Sequence, residues 1–296
     1  VTGPVRLATR GSPLALAQAR SVADLLEAVG VDASIVVVET EGDRRRDVDL
    51  LALAGRGVFA KEVQAAVLDG RADVAVHSAK DLPAEAPLGL VLVSVPERRD
   101  PADVLVGRSL GALSEGAIVA TGAPRRRALL LAARPDLTIV GLRGNIDTRL
   151  ASVGRDGIEA VVVAAAALDR LGLADAAAER LDPEIFVPQV GQGAIALECL
   201  DGGAFVELLE GVDDKAAHAA VRCERSFLAE LGVGCDLPGG AWAQFDGKTA
   251  TIRGVLATDD GTAMVRGSDS DPAPELAGRA LAARLRREIA NVGGSA

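Results

Sequence analysis

Short apolar runs alternate with amphipathic stretches through the first 95 residues, which is the pattern of strands and helices in turn. Val5–Ala8 reads as a strand, followed by a helix from Pro13 to about Val29. Ser12 is suited to cap that helix, Pro13 to open it and Gly30 to stop it. Ser34–Val38 is a second strand, and the charged, glycine-dotted residues 41–57 read as a loop. A helix over Val58–Asp69 stops at Gly70, and Ala72–His77 and Leu90–Val95 are strands. Such alternation predicts a mostly parallel sheet with helices on both faces. After Pro96–Pro101 the pattern restarts, with strands at Val104–Val106, Ile118–Ala120, Thr138–Leu142 and Ala160–Val163 and helices from near Pro124, Asn145 and Ala165. Beyond Pro183–Pro188 and Gly191-Gln192-Gly193, the run Ala194–Cys199 is expected to rejoin the first sheet. Residues 213–231 form a helix, strand-like runs follow at 241–246, 249–257 and 262–268, and a last helix covers Pro274 to about Asn291. The expectation is an α/β chain of two doubly wound domains, 1–96 with 194–212 and 97–193, plus a small α+β domain at 213–296.

Composition narrows the function. At 49% hydrophobic and 25% charged, the 296 residues can bury a core. Five Phe and one Trp are too few for base-stacking platforms. The net charge of −10 is uneven: residues 1–170 carry 21 Lys and Arg against 22 Asp and Glu, residues 171–296 carry 11 against 20. Nucleic acid is therefore a poor partner, while the balanced N-terminal part can hold a small anion. The longest apolar run, Ala160–Leu168, is nine residues, short of the ~20 of a membrane helix. Ala15-Leu16-Ala17 mimics a signal cleavage site, yet Arg6, Arg10, Gln18 and Arg20 leave no apolar region around it, so a cytoplasmic protein with no membrane contact is expected. Cys199, Cys223 and Cys235 with His77 and His218 show no zinc spacing, and no metal is expected.

The turns after the strands carry the candidate chemistry. Ligands of open α/β sheets sit beyond the carboxyl ends of the strands. There this chain places Arg10 and Ser12; Ser78, Lys80 and Asp81; Thr121 with Arg125, Arg126 and Arg127; and Arg143 with Arg149. One arginine in such a turn is ordinary surface. Four turns in two units suggest a cleft for several carboxylates or phosphates. Three motifs are weaker. Gly55-Arg56-Gly57 and Gly191-Gln192-Gly193 match a dinucleotide fingerprint without its acidic residue in place. Gly107-Arg108-Ser109-Leu110-Gly111, with Asp169 and His218, matches a hydrolase elbow, but Gly111 and Gly116 argue against the helix that elbow must launch.

Several segments together carry a resemblance. They are Arg6–Leu16, Gly57–Glu62, Ala75–Pro83 with its H-S-x-K-D-x-P core, Leu142–Leu150 with L-R-G-N-x-x-T-R, Val190–Ala194 and Gly234–Pro238. In these the chain resembles the porphobilinogen deaminase (hydroxymethylbilane synthase) family. The resemblance implies two domains like type II periplasmic binding proteins and a third bearing a cysteine. On that cysteine a dipyrromethane, made from the substrate porphobilinogen, is held by a thioether. Four porphobilinogen units are then joined with loss of ammonia, and the tetrapyrrole is released by hydrolysis. Each ring carries an acetate and a propionate, which suits arginine in so many turns.

Carried over residue by residue, the resemblance implies Cys235 as attachment point and Asp81 as catalytic carboxylate. Arg10, Ser12, Phe59, Ser78, Lys80, Thr121, Arg125, Arg126, Arg143, Arg149, Arg170 and Gln192 are implied as cofactor or substrate ligands, Phe59 as a cover for the ring edge. Gly232, Gly234, Pro238, Gly239 and Gly240 put Cys235 in a loop, whereas Cys199 and Cys223 lie in apolar or helical stretches and read as packing. Without the resemblance, Asp81 reads first as a helix cap before Leu82-Pro83. One segment departs from the family: the usual T-S-S-L-R-R is Thr121-Gly122-Ala123-Pro124-Arg125-Arg126, so two hydroxyls are absent. A monomer is expected. The competing reading is a non-catalytic polyanion-binding protein that uses the same cleft.

Overall fold

The computed structural model describes residues 3–39, 60–232, 238–258 and 261–293. The expected loop at 41–57 lies outside them. Three sheets organise the described residues, two of five strands and one of three.

The first unit comprises β1 (Val5–Arg10), α1 (Pro13–Ala28), β2 (Ala33–Val38), α2 (Lys61–Leu68), β3 (Val74–Ser78) and β4 (Leu90–Ser94). Ser12 caps α1, its hydroxyl accepting from the Ala15 amide at 3.3 Å, and Pro13 fills the first turn. Ala19, Val22 and Leu26 then face the sheet core of Leu7, Val74, Val76 and Leu197. The second unit holds β5 (Asp103–Val106), β6 (Ile118–Ala120), α3 (Pro124–Ala133), β7 (Thr138–Val140), α4 (Ile146–Leu150), β8 (Ile158–Ala164), α5 (Ala165–Arg170) and β9 (Ala177–Arg180).

The chain then returns, and β10 (Ile195–Leu200) enters the first sheet between β3 and β4. Rejoining was expected; the direction was not. Pairs β1–β2 and β1–β3 are parallel, but β10 runs antiparallel to both neighbours. The second sheet repeats this, with β6–β7 and β6–β8 parallel and β5 antiparallel to β8 and β9. In each sheet four strands run the same way and one, β10 or β5, runs against them, so the mostly parallel expectation holds with a single reversed strand per sheet. A strand that arrives from the other unit is free of the crossover helix that enforces parallel pairing.

After α6 (Val206–Glu210), the C-terminal unit consists of α7 (Lys215–Leu231), the antiparallel β11 (Gly239–Phe245), β12 (Ala250–Ala257) and β13 (Met264–Asp271), and α8 (Pro274–Gly293). Phe227, Leu281 and Leu285 fill the space between these helices and the sheet. The unit is anchored to both others. Val255 is buried among Leu105, Val119 and Leu129 of the second unit. Ala217 and Val221 of α7 pack on Ala79, Leu82 and Val95 of the first.

Candidate active site

β3 delivers its carboxyl end into a single tight turn, Ala79–Asp81. The Ala79 amide is tied to the Ala194 carbonyl at 3.0 Å, so the turn is pinned to the start of β10. Gly191 presses on it from the side: a Cβ there would lie 2.8 Å from the Ala79 carbonyl carbon and 2.9 Å from the Lys80 nitrogen, and its φ is +73°. Only glycine fits such a position. The Gly191-Gln192-Gly193 motif is thus a backbone contact between units. It follows no strand and opens no helix, so the dinucleotide reading fails.

Lys80 and Asp81 are half-buried, and among the described residues no hydrogen bond engages the ammonium of one or the carboxylate of the other. Burial pulls the Lys80 amine down to about 8; Arg126 and Arg149 push the same way, while Asp81 and Asp103 oppose them. The Arg149 guanidinium is likewise lowered by burial and by Arg126 and raised by Asp81. Lys80, Asp81, Arg126, Arg149 and Asp103 therefore share one electrostatic neighbourhood built from both units.

The second unit supplies its share through α3 and the turn before α4. Arg125 and Arg126 are buried, at 4% and 7% exposure. Both converge on Asp103, Arg125 through Nη2 at 2.7 Å and Arg126 through Nη2 at 2.7 Å and Nε at 3.1 Å. Their remaining donors reach the Val187 carbonyl at 2.6 Å and the Val162 carbonyl at 3.0 Å. Gln192, fully buried, donates to Asp103 at 2.8 Å and to the Pro101 carbonyl at 2.7 Å. Burial alone would raise the Asp103 carboxyl; the two arginines hold it well below the usual carboxylate range. One carboxylate against two guanidinium groups leaves a net positive floor beside Lys80. Sequence reasoning named these arginines as ligand contacts; their bonds to Asp103, a residue it passed over, are what the structure adds.

The L-R-G-N-x-x-T-R segment has a visible structural part. Asn145 caps α4, accepting from the Thr148 amide at 3.0 Å and its hydroxyl at 2.8 Å, and Arg149 donates Nε to the Gly144 carbonyl at 2.9 Å. Arg143 is exposed on the approach to this turn, and Arg10 ends β1 half-buried. The Thr121 hydroxyl accepts from the Ala123 amide at 3.3 Å. At Gly122 a Cβ would lie 2.5 Å from the Leu142 carbonyl oxygen, so the glycine that replaces the usual serine lets two turns close on each other. Arg170 donates to the Gly193 carbonyl at 2.8 Å; burial and Arg99 lower it to about 10.

Two cavities open on Lys80. One, of about 250 Å3, lies between the first two units and is lined by Gln18, Ser78, Arg170 and Gly191 among others. Gln18, buried and hydrogen-bonded to Ser78 at 2.9 Å, is a lining residue that sequence reasoning did not single out; its place on the buried stripe of α1 was the available signal. The other, of about 430 Å3, is mainly apolar and lies between the Ala79–Leu82 turn and the C-terminal unit, with Leu231, Gly239 and Gly240 on its wall. These residues flank the segment that contains Cys235. Cys235 and Phe59 themselves lie outside the described residues. Cys199 and Cys223 are buried, and burial pushes the Cys223 thiol up to about 12, which suits packing.

The hydrolase alternative loses support. Ser109 begins only a single turn, Leu110–Ala112, while His218 is bonded to Asp213 at 2.9 Å and Asp169 lies 3.7 Å from Arg99, so no hydrolase triad forms. Among the described residues no cluster suits a metal ion.

Comparison with known sequences decides the family. The sequence model described as porphobilinogen deaminase, dipyromethane cofactor binding domain, matches residues 5–207, and that of the C-terminal domain matches residues 218–287. The chain belongs to the porphobilinogen deaminase family. Among curated members, the porphobilinogen deaminase of Acidothermus cellulolyticus is 45% identical over 294 residues, covering 96% of this chain and 88% of that one. That of Roseiflexus sp. is 42% identical over 299 residues, with 98% and 97% covered. Among solved structures, the methionine-binding protein MetQ is similar over 70% of this chain and 89% of its own, at 13% identity and a TM-score of 0.45. Membership accounts for a cofactor-binding cleft in the first two units. The Asp103 cluster, and the ion pair of Arg98 with Glu224 of α7 at 2.6 Å, were not read from sequence.

Proposed function

We propose that this chain is a transferase that deaminates porphobilinogen and joins four units on a dipyrromethane held by Cys235, releasing the linear tetrapyrrole by hydrolysis. The observation that carries this reading is the pairing of Asp81 and Lys80, both without hydrogen bonds among the described residues, inside a cleft with a net positive floor. The fit to the cofactor rests on the same residues. A dipyrromethane needs cations for its four carboxylates, space for its rings and a thiol within reach. Lys80 and Arg149 supply cations, and the apolar cavity walled by Leu231, Gly239 and Gly240 marks where the rings would lie.

When bound, the dipyrromethane supplies the ring carbon to which the next pyrrole is attached. The protein's own groups do the rest. Porphobilinogen must lose its aminomethyl nitrogen as ammonia, leaving positive charge spread over the pyrrole and its methylene. The Asp81 carboxylate stabilises that charge at the ring N–H, a term that acts strongly in a partly desolvated site. It also stands ready to take up the proton lost at the carbon where the two rings join, as the attacking ring regains aromaticity. Arg149, with Arg10, Ser12 and Arg143 at other strand-end turns, orients acetate and propionate groups. Arg125, Arg126 and Gln192 act from beneath through the Asp103 cluster. Ser78, Thr121, Arg170 and, in the segment outside the described residues, Phe59 complete the proposed ligand set. We place the enzyme in the cytoplasm as a monomer acting on a small molecule; no described helix is long and apolar enough to cross a membrane.

The test is Asp81→Asn, which keeps size and removes charge. Conversion of porphobilinogen, followed by ammonia release, is expected to fall by about 10²–10³, with the cofactor still attached. A loaded Asp81→Asn enzyme working at the parent rate would make another carboxylate the catalyst. A chain that binds polyanions but never converts porphobilinogen would favour the binding protein.

A further inference from the structure

The segment that carries Lys80 and Asp81 is gripped at both ends by groups that surround one buried carboxylate. Glu198 lies on β10, fully buried. Its Oε2 is 3.2 Å from Nε2 of His77, the residue immediately before Ser78, and accepts from Gln64 of α2 at 2.8 Å. At the far end of the segment, Arg225 of α7 donates Nη2 to the Ala84 carbonyl at 3.0 Å. Arg225 and Glu198 attract each other. The Arg225 Nη1, the Glu198 Oε1 and the His77 Nε2 are buried without a hydrogen-bond partner, so His77 meets Glu198 by close approach alone, and Arg225 and Glu198 offer a donor and an acceptor of opposite charge.

A buried carboxylate is costly unless its charge serves a purpose. Burial raises the Glu198 carboxyl, yet His77, Gln64 and Arg225 together hold it below its ordinary range, so it stays charged. The elements it joins are telling. β3 leads into Asp81, and α7 runs to Leu231, four residues before Cys235 in sequence.

We propose that Glu198, with His77 and Arg225, forms a positioning cluster that fixes the 78–84 segment, and with it Asp81, relative to the helix leading to Cys235. The proposal rests on the catalytic reading above and adds residues that touch neither substrate nor cofactor.

Glu198→Gln keeps shape and hydrogen-bonding capacity and removes the charge. Measured per mole of dipyrromethane-loaded protein, kcat is expected to fall about tenfold or more with KM for porphobilinogen within about twofold, because a slight misplacement of a catalytic group costs rate while ligand contacts remain. Hydrogen exchange of the 78–84 peptide, read in both loaded protein and the Cys235→Ser variant, is expected to quicken about tenfold, with peptides of β6 and α3 unchanged. Arg225→Lys should move both readouts the same way by less, and the double variant should lose no more than Glu198→Gln alone. A loaded Glu198→Gln enzyme with parental kcat and parental exchange at 78–84 overturns the proposal. So does lower thermal stability with kcat per loaded molecule unchanged, since that is a purely structural role. Where Glu198→Gln does not fold, Arg225→Lys is judged by the same two readouts. A parent enzyme that never converts porphobilinogen defeats the catalytic reading, whereas an active parent with an indifferent Glu198→Gln defeats only the positioning cluster.

Discussion

Lys80 is where surroundings most alter a side chain's chemistry. Its amine falls to about 8 from an ordinary 10.5, chiefly through burial. Between those two values the unfolded chain binds a proton that the folded chain does not. Stability from this group therefore rises as pH climbs from about 8 towards 10.5. Function runs the opposite way. A protonated Lys80 attracts a carboxylate and a neutral one does not, so the apparent KM for porphobilinogen is expected to rise above pH 8. Lys80→Arg, which stays charged, should flatten that rise between pH 7 and 9.5. The same slope in Lys80→Arg would show that another group sets it. Lys80 was legible as a cation at a strand end; its shifted amine was not, because burial and the fields of Arg126 and Arg149 exist only after folding.

At the scale of elements, α7 is the beam on which the C-terminal unit hangs. Its apolar stripe of Ala217, Ala220, Val221, Phe227 and Leu231 is interrupted by Glu224, which is fully buried. Glu224 accepts from Arg98 at 2.6 and 3.2 Å, from the Gly191 amide at 2.7 Å and from the Ala243 amide at 2.8 Å. It thereby joins both crossing segments between the first two units to β11 of the third. Removing one partner leaves an uncompensated buried charge, so Arg98→Ala is expected to cost about 3–5 kcal/mol, read as a lower urea midpoint. Arg222→Ala, which breaks the exposed pair with Glu275, should cost about 0–1 kcal/mol. Equal losses from the two would deny Glu224 its role as the joint. A charge on the apolar stripe of a helix was a signal open to sequence reading and not taken. The elements themselves were mostly legible, since Ser12, Pro13, Asn145 and Asp214 mark helix starts by their own chemistry. β9 was not: Ala177-Ala178-Glu179-Arg180 lacks an apolar alternation and pairs only because β5 offers it an edge.

Across the whole molecule, the cleft and the cavity walled by Leu231, Gly239 and Gly240 meet at Lys80, so one turn faces both the cationic floor and the C-terminal unit. The cleft was legible because strand-end turns must face it in any open α/β sheet. The separate duties of its arginines were not, since only folding brings Asp103 between Arg125 and Arg126. The central claim is a chain that grows pyrrole by pyrrole on Cys235, and intact mass of the purified protein tests it most directly. The expected result is the chain mass plus a two-ring adduct, then a ladder of one-ring steps after limited porphobilinogen, both absent in Cys235→Ser. An unmodified protein that gains no mass with porphobilinogen, or an adduct mapped to Cys199 or Cys223, would contradict it.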